Sequence, residues 1–165
     1  MATEAERIAA ANRSYAEGFT GAGAVRPARH LAVVACMDSR MDIFAMLGLE
    51  VGDAHVIRNA GGIVTDDVIR SLTLSQRALG TREIVLVHHT DCGLLGVSDD
   101  DFAAELEADT GAVPRWRAGG FEDAHADVAE SIRRLGATPF LLHRDRVTGF
   151  VYDVDTGRLL PVDGD

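Results

Sequence analysis

The sequence predicts an α/β fold in which helices flank a mostly parallel sheet. Continuous apolar runs such as LAVVAC (31–36) and EIVLVHH (83–89) are typical of strands that are buried on both faces. Between them, TDDVIRSLTLSQRALG (65–80) has the apolar spacing of an amphipathic helix. Strands that alternate with helices form a parallel sheet through right-handed crossovers. Because 165 residues are enough to bury one core, we expect a single domain over residues 1–165.

The first element is predicted to be a helical arm over residues 3–18. Its apolar Ile8 and Tyr15 lie among charged residues, and Gly18 is suited to end the helix. The following segment, 20–30, is rich in glycine and proline, which indicates a connector. Ile8 and Tyr15 are too apolar for a free arm, so we expect the arm to pack on a second copy of the chain. The expected assembly is an obligate homodimer or a higher oligomer.

The central elements alternate between strand and helix. They are, in order, a strand (31–36), a short helix that Asp42 opens, a strand that enters a glycine turn (54–62), a helix (65–80) and a strand (83–89). Thr65 and the two aspartates after it favour a helix start, and Gly80 is predicted to stop that helix.

The C-terminal third is predicted to add two helices, a strand and a hairpin. They are a solvated helix at SDDDFAAELEAD (98–109), a helix at FEDAHADVAESIRRLGA (121–137), a fourth strand at PFLLH (139–143) and a hairpin at TGFVYDVDTGRLLPV (148–162). The hairpin is expected to turn at residues 155–157, where Asp, Thr and Gly follow one another.

Composition excludes several classes of partner. A net charge of −10 and a pI near 4.9 argue against nucleic acid and anionic membranes, which require a basic surface. No apolar run approaches the ~20 residues that a bilayer span needs. The charged N-terminal segment lacks the apolar stretch of a signal peptide. We therefore expect a cytoplasmic protein, whose two cysteines stay reduced and free for packing, metal binding or catalysis.

Both cysteines lie where parallel strands end. Cys36 closes one predicted strand, and Cys92 follows the third strand, three residues after His89. Ligands gather at the carboxyl ends of parallel strands, and Cys₂His with one open position is a catalytic zinc arrangement. Taken singly, each cysteine is more often a buried hydrophobe. Asp38 is a candidate fourth ligand, and Arg40 can instead hold that carboxylate through two hydrogen bonds.

Two motifs resemble the β-class carbonic anhydrases. CMDSR (36–40) matches their C-x-D-S-R signature, and HTDCG (89–93) matches H-x-x-C. The 53-residue separation of Cys36 and His89 is similar to that of the short, single-domain bacterial and archaeal members. RNAGG (58–62) matches the glycine turn between the signatures. The resemblance covers nearly the whole chain, and it implies four parallel strands extended by one antiparallel strand.

The resemblance also implies a function and its residues. It implies a lyase that hydrates carbon dioxide reversibly to bicarbonate and a proton, with one Zn²⁺ per subunit. The metal ligands would be Cys36, His89 and Cys92, with Asp38 and Arg40 as the catalytic dyad. Zinc lowers the pKa of its water toward ~7, so hydroxide is available near neutral pH.

The substrate pocket is expected to be small and apolar. Gly93 and Gly61 are the candidate substrate-binding residues, and the resemblance implies that the backbone N–H of Gly93 points at the substrate. In some members Asp38's counterpart closes the metal site beside a bicarbonate pocket that includes a tryptophan. Val33 occupies the position of that tryptophan here, so we expect Asp38 to bind Arg40 and leave the site open.

The sequence leaves other interpretations of this site open. A non-catalytic zinc or redox-sensing module would have Asp38 on the metal, and a hydrolase of CS₂ or COS would use the same scaffold. Asp91 is either a neighbour of the site or a turn residue. His88 is expected to point away from His89 and to pack in the core or an interface.

Overall fold

The computed structural model describes residues 1–164 and has one mixed sheet. The helices of this range are α1 (Glu4–Glu17), α2 (Ile43–Leu47), α3 (Asp66–Arg77), α4 (Asp99–Thr110) and α5 (Ala124–Ala137). The strands are β1 (Leu31–Cys36), β2 (Ala54–Asn59), β3 (Glu83–His89), β4 (Val147–Tyr152) and β5 (Leu159–Val162). The strand order is β2-β1-β3-β4-β5, parallel except for the antiparallel pair β4–β5. This architecture confirms the predicted fold class.

The core lies on both faces of the sheet because side chains alternate along β1. Ala32 and Val34 pack with residues of α3 and α5, including Leu72 and Leu135. Val33 and the other alternate residues of β1 pack on the opposite face, with residues of α2 and the loop after it. A strand covered on both faces needs apolar residues at every position. The continuous run at 31–36 is therefore explained by its central place in the sheet.

The prediction of a strand at 139–143 is wrong. Phe140 and Leu142 are 60% and 52% exposed, while Leu141 between them is buried. The backbone N–H groups of Leu142 and His143 donate to Oε1 of Gln76 at 2.8 and 3.0 Å. A side chain on α3 thus satisfies amides that a strand would pair in a ladder. β3 already has β1 and β4 as neighbours, so this apolar run anchors a loop through Leu141 instead.

The two ends of α3 can be compared with the start and stop residues that the sequence predicts. α3 ends at Arg77 with Ala78 as its C-cap, three residues before the predicted stop at Gly80. Gly80 has φ +79 and belongs to the turn that leads into β3. The helix therefore stops earlier than its glycine. At the other end, the Thr65 side chain caps α3 as predicted, accepting from the N–H of Val68 at 3.3 Å.

The N-terminal arm forms as predicted but contacts little of its own chain. A capping box of Thr3 and Glu6 opens α1, and Gly18 ends it. Within residues 1–164, α1 has no buried side chain, and Ile8 and Tyr15 are 63% and 62% exposed. None of the helices in this range combines the length and apolar character needed to cross a bilayer.

Candidate metal centre

Two adjacent strand ends and one turn bring three ligand-bearing side chains together. Cys36 is the last residue of β1, and His89 is the last residue of β3. Cys92 follows in a tight turn that Asp91 enters with φ +54. The two thiol sulfurs and a ring nitrogen of His89 all lie within 4.8 Å of one another, and all three side chains are buried. Residues far apart in sequence thus face one centre.

The His89 ring is oriented for a cation. Its Nδ1–H donates to the carbonyl of Thr90 at 2.8 Å, which leaves Nε2 with a free lone pair. Nε2 is buried and has no hydrogen-bond partner among the described residues. A buried acceptor without a donor costs free energy unless another group binds it. A metal ion between this nitrogen and the two sulfurs would satisfy it, so the residues fit zinc.

The thiols have opposite pKa shifts. Burial raises the pKa of the Cys36 thiol, but the neighbouring His89 ring in its protonated form and nearby backbone N–H groups lower it more, to about 7. Burial raises the pKa of Cys92, and the charge of Cys36 adds to that effect. Two adjacent buried thiolates therefore need a cation to stabilise both charges. This donor set favours a soft or borderline divalent metal such as zinc.

Asp38 lies beside this cluster and is held by Arg40. Arg40 donates from Nε to Oδ1 at 3.0 Å and from Nη2 to Oδ2 at 2.8 Å. These bonds, with the backbone N–H of Arg40, hold the pKa of the Asp38 carboxyl well below its usual range. Oδ2 lies 3.7 Å from Nε2 of His89. An ionised, oriented carboxylate thus faces the cluster.

Asp91 is a partner of Arg40 that the sequence left undecided. Arg40 donates from Nη1 to Oδ2 of Asp91 at 2.8 Å and from Nη2 to its carbonyl at 2.9 Å. Asp91 is also a turn residue, because its φ of +54 lies in the left-handed region that aspartate tolerates. One guanidinium therefore joins the C-x-D-S-R segment to the turn that carries Cys92. The sequence signal for this contact is the acidic residue directly before Cys92.

Arg58 braces the same segment from β2. Its Nε donates to the carbonyl of Cys36 at 2.9 Å, and its Nη2 donates to the carbonyl of Asp38 at 2.6 Å. The side chain therefore pairs with neighbouring backbone. Its guanidinium fixes the path of the chain from Cys36 to Asp38.

A pocket of about 290 Å³ opens onto the cluster. Gly61 and Gly93 both line it, together with apolar Ala60 and Leu94. At Gly61, φ is +74, and an added Cβ would lie 2.8 Å from Cδ1 of Leu94. The glycine turn therefore lets the Leu94 side chain pack closely on Gly61 and form an apolar wall of the pocket.

The other histidines lie elsewhere. His88 is fully buried on the opposite face of β3, where its Nε2–H donates to Oδ2 of Asp127 at 2.7 Å. His55 hydrogen-bonds Ser75, and Nδ1–H of His30 donates to the Gly80 carbonyl at 2.9 Å. Among the described residues, no histidine lines the 290 Å³ pocket.

Comparison with known proteins gives consistent matches. A family model described as carbonic anhydrase matches residues 31–159. The β-carbonic anhydrase 1 of Mycobacterium tuberculosis strain H37Rv is 53% identical over 148 residues, covering 90% of this chain and 91% of that protein. The crystal structure of carbonic anhydrase from Streptococcus mutans is similar with a TM-score of 0.91 and 39% identity, covering 99% of both chains. A carbon disulfide hydrolase of Acidianus sp. is 36% identical over 156 residues, covering 79% of this chain and 76% of that protein.

Proposed function

The chain belongs to the β-class carbonic anhydrase family, and from that premise we propose that it hydrates carbon dioxide reversibly with zinc and an Asp-Arg dyad. The observation that carries the proposal is the unpartnered Nε2 of His89, which faces two buried thiols beside an ionised Asp38. Cys36, His89 and Cys92 would hold one zinc ion per subunit. A bound zinc ion supplies Lewis acidity that makes water a nucleophile near neutral pH.

Asp38 acts on the attacking oxygen in this proposal. Its carboxylate accepts a hydrogen bond from that oxygen and directs a lone pair at the substrate carbon. Arg40 keeps Asp38 ionised and oriented through the two hydrogen bonds at 3.0 and 2.8 Å. Because both carboxylate oxygens are engaged by Arg40, the geometry favours the open arrangement, in which Asp38 does not bind the metal.

Asp91 is a positioning residue in the same proposal. Its carboxylate and carbonyl accept from the guanidinium edge that Asp38 leaves free. Arg40 is therefore held between two acidic residues and cannot rotate away without losing charge-assisted hydrogen bonds.

The pocket suits a small apolar substrate. Gly61 and Gly93 line it without adding side-chain atoms, and Ala60 and Leu94 supply apolar walls. Carbon dioxide is neutral and linear, so it needs space and an apolar wall more than hydrogen-bond donors. The backbone N–H of Gly93 is the proposed contact with substrate oxygen.

We also propose a homodimer in the cytoplasm. The exposed Ile8 and Tyr15 on α1 would be covered by a second copy, and β2 presents an unpaired edge within residues 1–164. The cytoplasmic location rests on the acidic composition, and it remains a prediction.

Hydrolysis of CS₂ or COS is the second candidate function. The relative named carbon disulfide hydrolase, 36% identical to this chain, favours it, because the same site could attack either molecule. A non-catalytic zinc module is the third interpretation. The engagement of Asp38 by Arg40 argues against it, since a structural site would use the carboxylate as a ligand.

Stopped-flow assays on protein of measured zinc content test these alternatives. CO₂ hydration that is fast in the wild type and strongly reduced in Asp38→Asn, at equal zinc content, supports the proposal. Turnover of CS₂ without CO₂ hydration would favour the hydrolase. Stoichiometric zinc with neither activity would favour the non-catalytic module.

A further inference from the structure

A second pocket adjoins the metal pocket. Its volume is about 420 Å³, and its lining includes Ile63, Phe102 and Trp116. Ala60 and Leu94 line both this space and the 290 Å³ metal pocket. The two spaces therefore share a wall at Ala60 and Leu94.

The character of the second pocket is mainly apolar. The rings of Phe102, on α4, and Trp116, in the loop after it, lie 6.4 Å apart at a tilt of 46°. Trp116 is 60% exposed at the rim. A concave apolar surface with aromatic side chains is the usual composition of a small-molecule site. These aromatic groups do not belong to either core cluster.

The outer wall of this pocket is held in place by Asp99. Its Oδ2 accepts from Nε of Arg117 at 2.7 Å, and its Oδ1 accepts from the backbone N–H of Gly119 at 2.7 Å. Asp99 begins α4, so these bonds fasten the loop that carries Trp116 to a helix end. Gly120 packs so closely on the backbone of Val97 that a Cβ would overlap it. The loop that bounds the pocket is thus held to the start of α4 by hydrogen bonds.

Leu94 forms the boundary with the metal pocket. Its Cδ1 would lie 2.8 Å from a Cβ added to Gly61, so the leucine side chain lies directly over the glycine turn. The residue also follows Cys92 by two positions, which ties its backbone to the ligand turn. The Leu94 side chain therefore stands between the two spaces.

We propose that the 420 Å³ pocket is an antechamber that binds small apolar molecules, and that Leu94 selects among linear triatomic substrates by size. The inference rests on the proposed function for the identity of the substrate class. Sulfur atoms are larger than oxygen atoms, so Leu94 restricts CS₂ more than CO₂. The proposal places the path of the substrate past Leu94, so truncating this side chain gives the larger molecule more room.

Binding in the antechamber has a direct optical reporter, because Trp116 is the chain's single tryptophan. Chloroform is a small apolar molecule that quenches indole fluorescence. Titrating it into the zinc-loaded protein should give a saturable component of quenching, which a finite site produces. Ala118→Phe fills the lining of the pocket and should remove that component. Val113→Phe, an exposed position on the same loop and outside the lining, is the matched control and should retain it.

Selectivity is measured as the ratio of kcat/KM for CS₂ to that for CO₂. Leu94→Ala should raise this ratio about tenfold or more, the scale on which a few methylene groups change discrimination. Leu94→Met keeps the volume and should leave the ratio near that of the wild type, and it provides a folded comparison if the alanine variant is unstable.

The outcomes separate this inference from the proposed function. Strictly linear quenching in the wild type, or a saturable component that survives Ala118→Phe, would overturn the antechamber. A ratio that does not change in Leu94→Ala would overturn the selective role of Leu94. Saturable quenching in a zinc-loaded protein that turns over neither substrate would refute the proposed function while supporting the binding site.

Discussion

Substituting Gly62 with alanine perturbs the metal centre from the backbone side. Gly62 has φ +73, and an added Cβ would lie 2.7 Å from the nitrogen of Cys36. It would also lie 2.9 Å from the carbonyl carbon of Ala35 and 3.1 Å from the oxygen of Val87. These are all backbone atoms, so no side-chain rotation relieves the overlap. Either the glycine turn or the end of β1 has to move.

The magnitude follows from two separable costs. An L-residue in the left-handed region costs about 1 kcal/mol or slightly more. Overpacking against a close-packed interior adds roughly 1–3 kcal/mol. We therefore expect Gly62→Ala to lose roughly 2–4 kcal/mol of unfolding free energy. For a chain of this length each kcal/mol lowers the Tm by about 2–4 °C.

Gly111→Ala is the matched control. Gly111 has φ +74 at the C-terminus of α4, and no heavy atom of the described residues lies within 4 Å of its added Cβ, neighbours in the chain aside. Gly111→Ala should therefore lose only the unfolding free energy that backbone strain costs, about 1 kcal/mol. The difference between the two variants isolates the contact with β1.

Urea unfolding at one protein concentration measures both losses, and titration with a chelator measures zinc affinity. Gly62→Ala should lose more stability than Gly111→Ala and should also bind zinc more weakly, because its added Cβ presses on the backbone nitrogen of Cys36. Equal losses in the two variants, with equal zinc affinity, would refute the reasoning.

Three further outcomes are expected. Cys92→Ala should lose zinc and CO₂ hydration together, as measured by metal analysis and stopped flow; retention of full zinc would contradict the ligand assignment. Removing zinc from the wild type with a chelator should lower the Tm, because metal binding contributes to folding free energy, and adding zinc back should restore it. An unchanged Tm would argue that zinc does not bind the folded chain in preference to the unfolded one. Asp91→Ala should reduce kcat/KM by about 10–100-fold at full zinc content, since it removes the carboxylate that binds Nη1 of Arg40, whereas Asp91→Asn keeps an acceptor oxygen and the left-handed turn and should retain more activity. Equal losses in both would contradict this role, because Asp91→Asn keeps the acceptor oxygen and the turn.

Much of the fold was accessible from the sequence because its signals are local. The apolar run at 31–36 identifies β1 at its observed bounds, and 83–89 identifies β3 in the same way. Thr65 caps α3 through its own side chain, which accepts from a backbone N–H three residues later. Periodicity and capping operate over a few residues, so they can be read without knowing the tertiary structure.

The predictions from the sequence failed where contacts between distant segments decide the structure. The run at 139–143 has a strand's composition, but Gln76, more than sixty residues earlier, binds its backbone amides. The paired motifs identified the candidate ligands, yet they did not say how Arg40 divides its donors. The division of these donors depends on Asp91, which lies opposite Arg40 because β1 and β3 are adjacent in the sheet.

The sequence by itself therefore determined the strands other than the wrong one at 139–143, the family and the candidate chemistry, because burial period, caps and motifs are each written in short stretches of residues. Only the tertiary structure decided which groups face one another. The orphaned nitrogen of His89, the second carboxylate on Arg40 and the pocket shared through Leu94 all arise where separate elements pack together. Packing of this kind depends on strand order and loop path, which no local pattern of residues specifies.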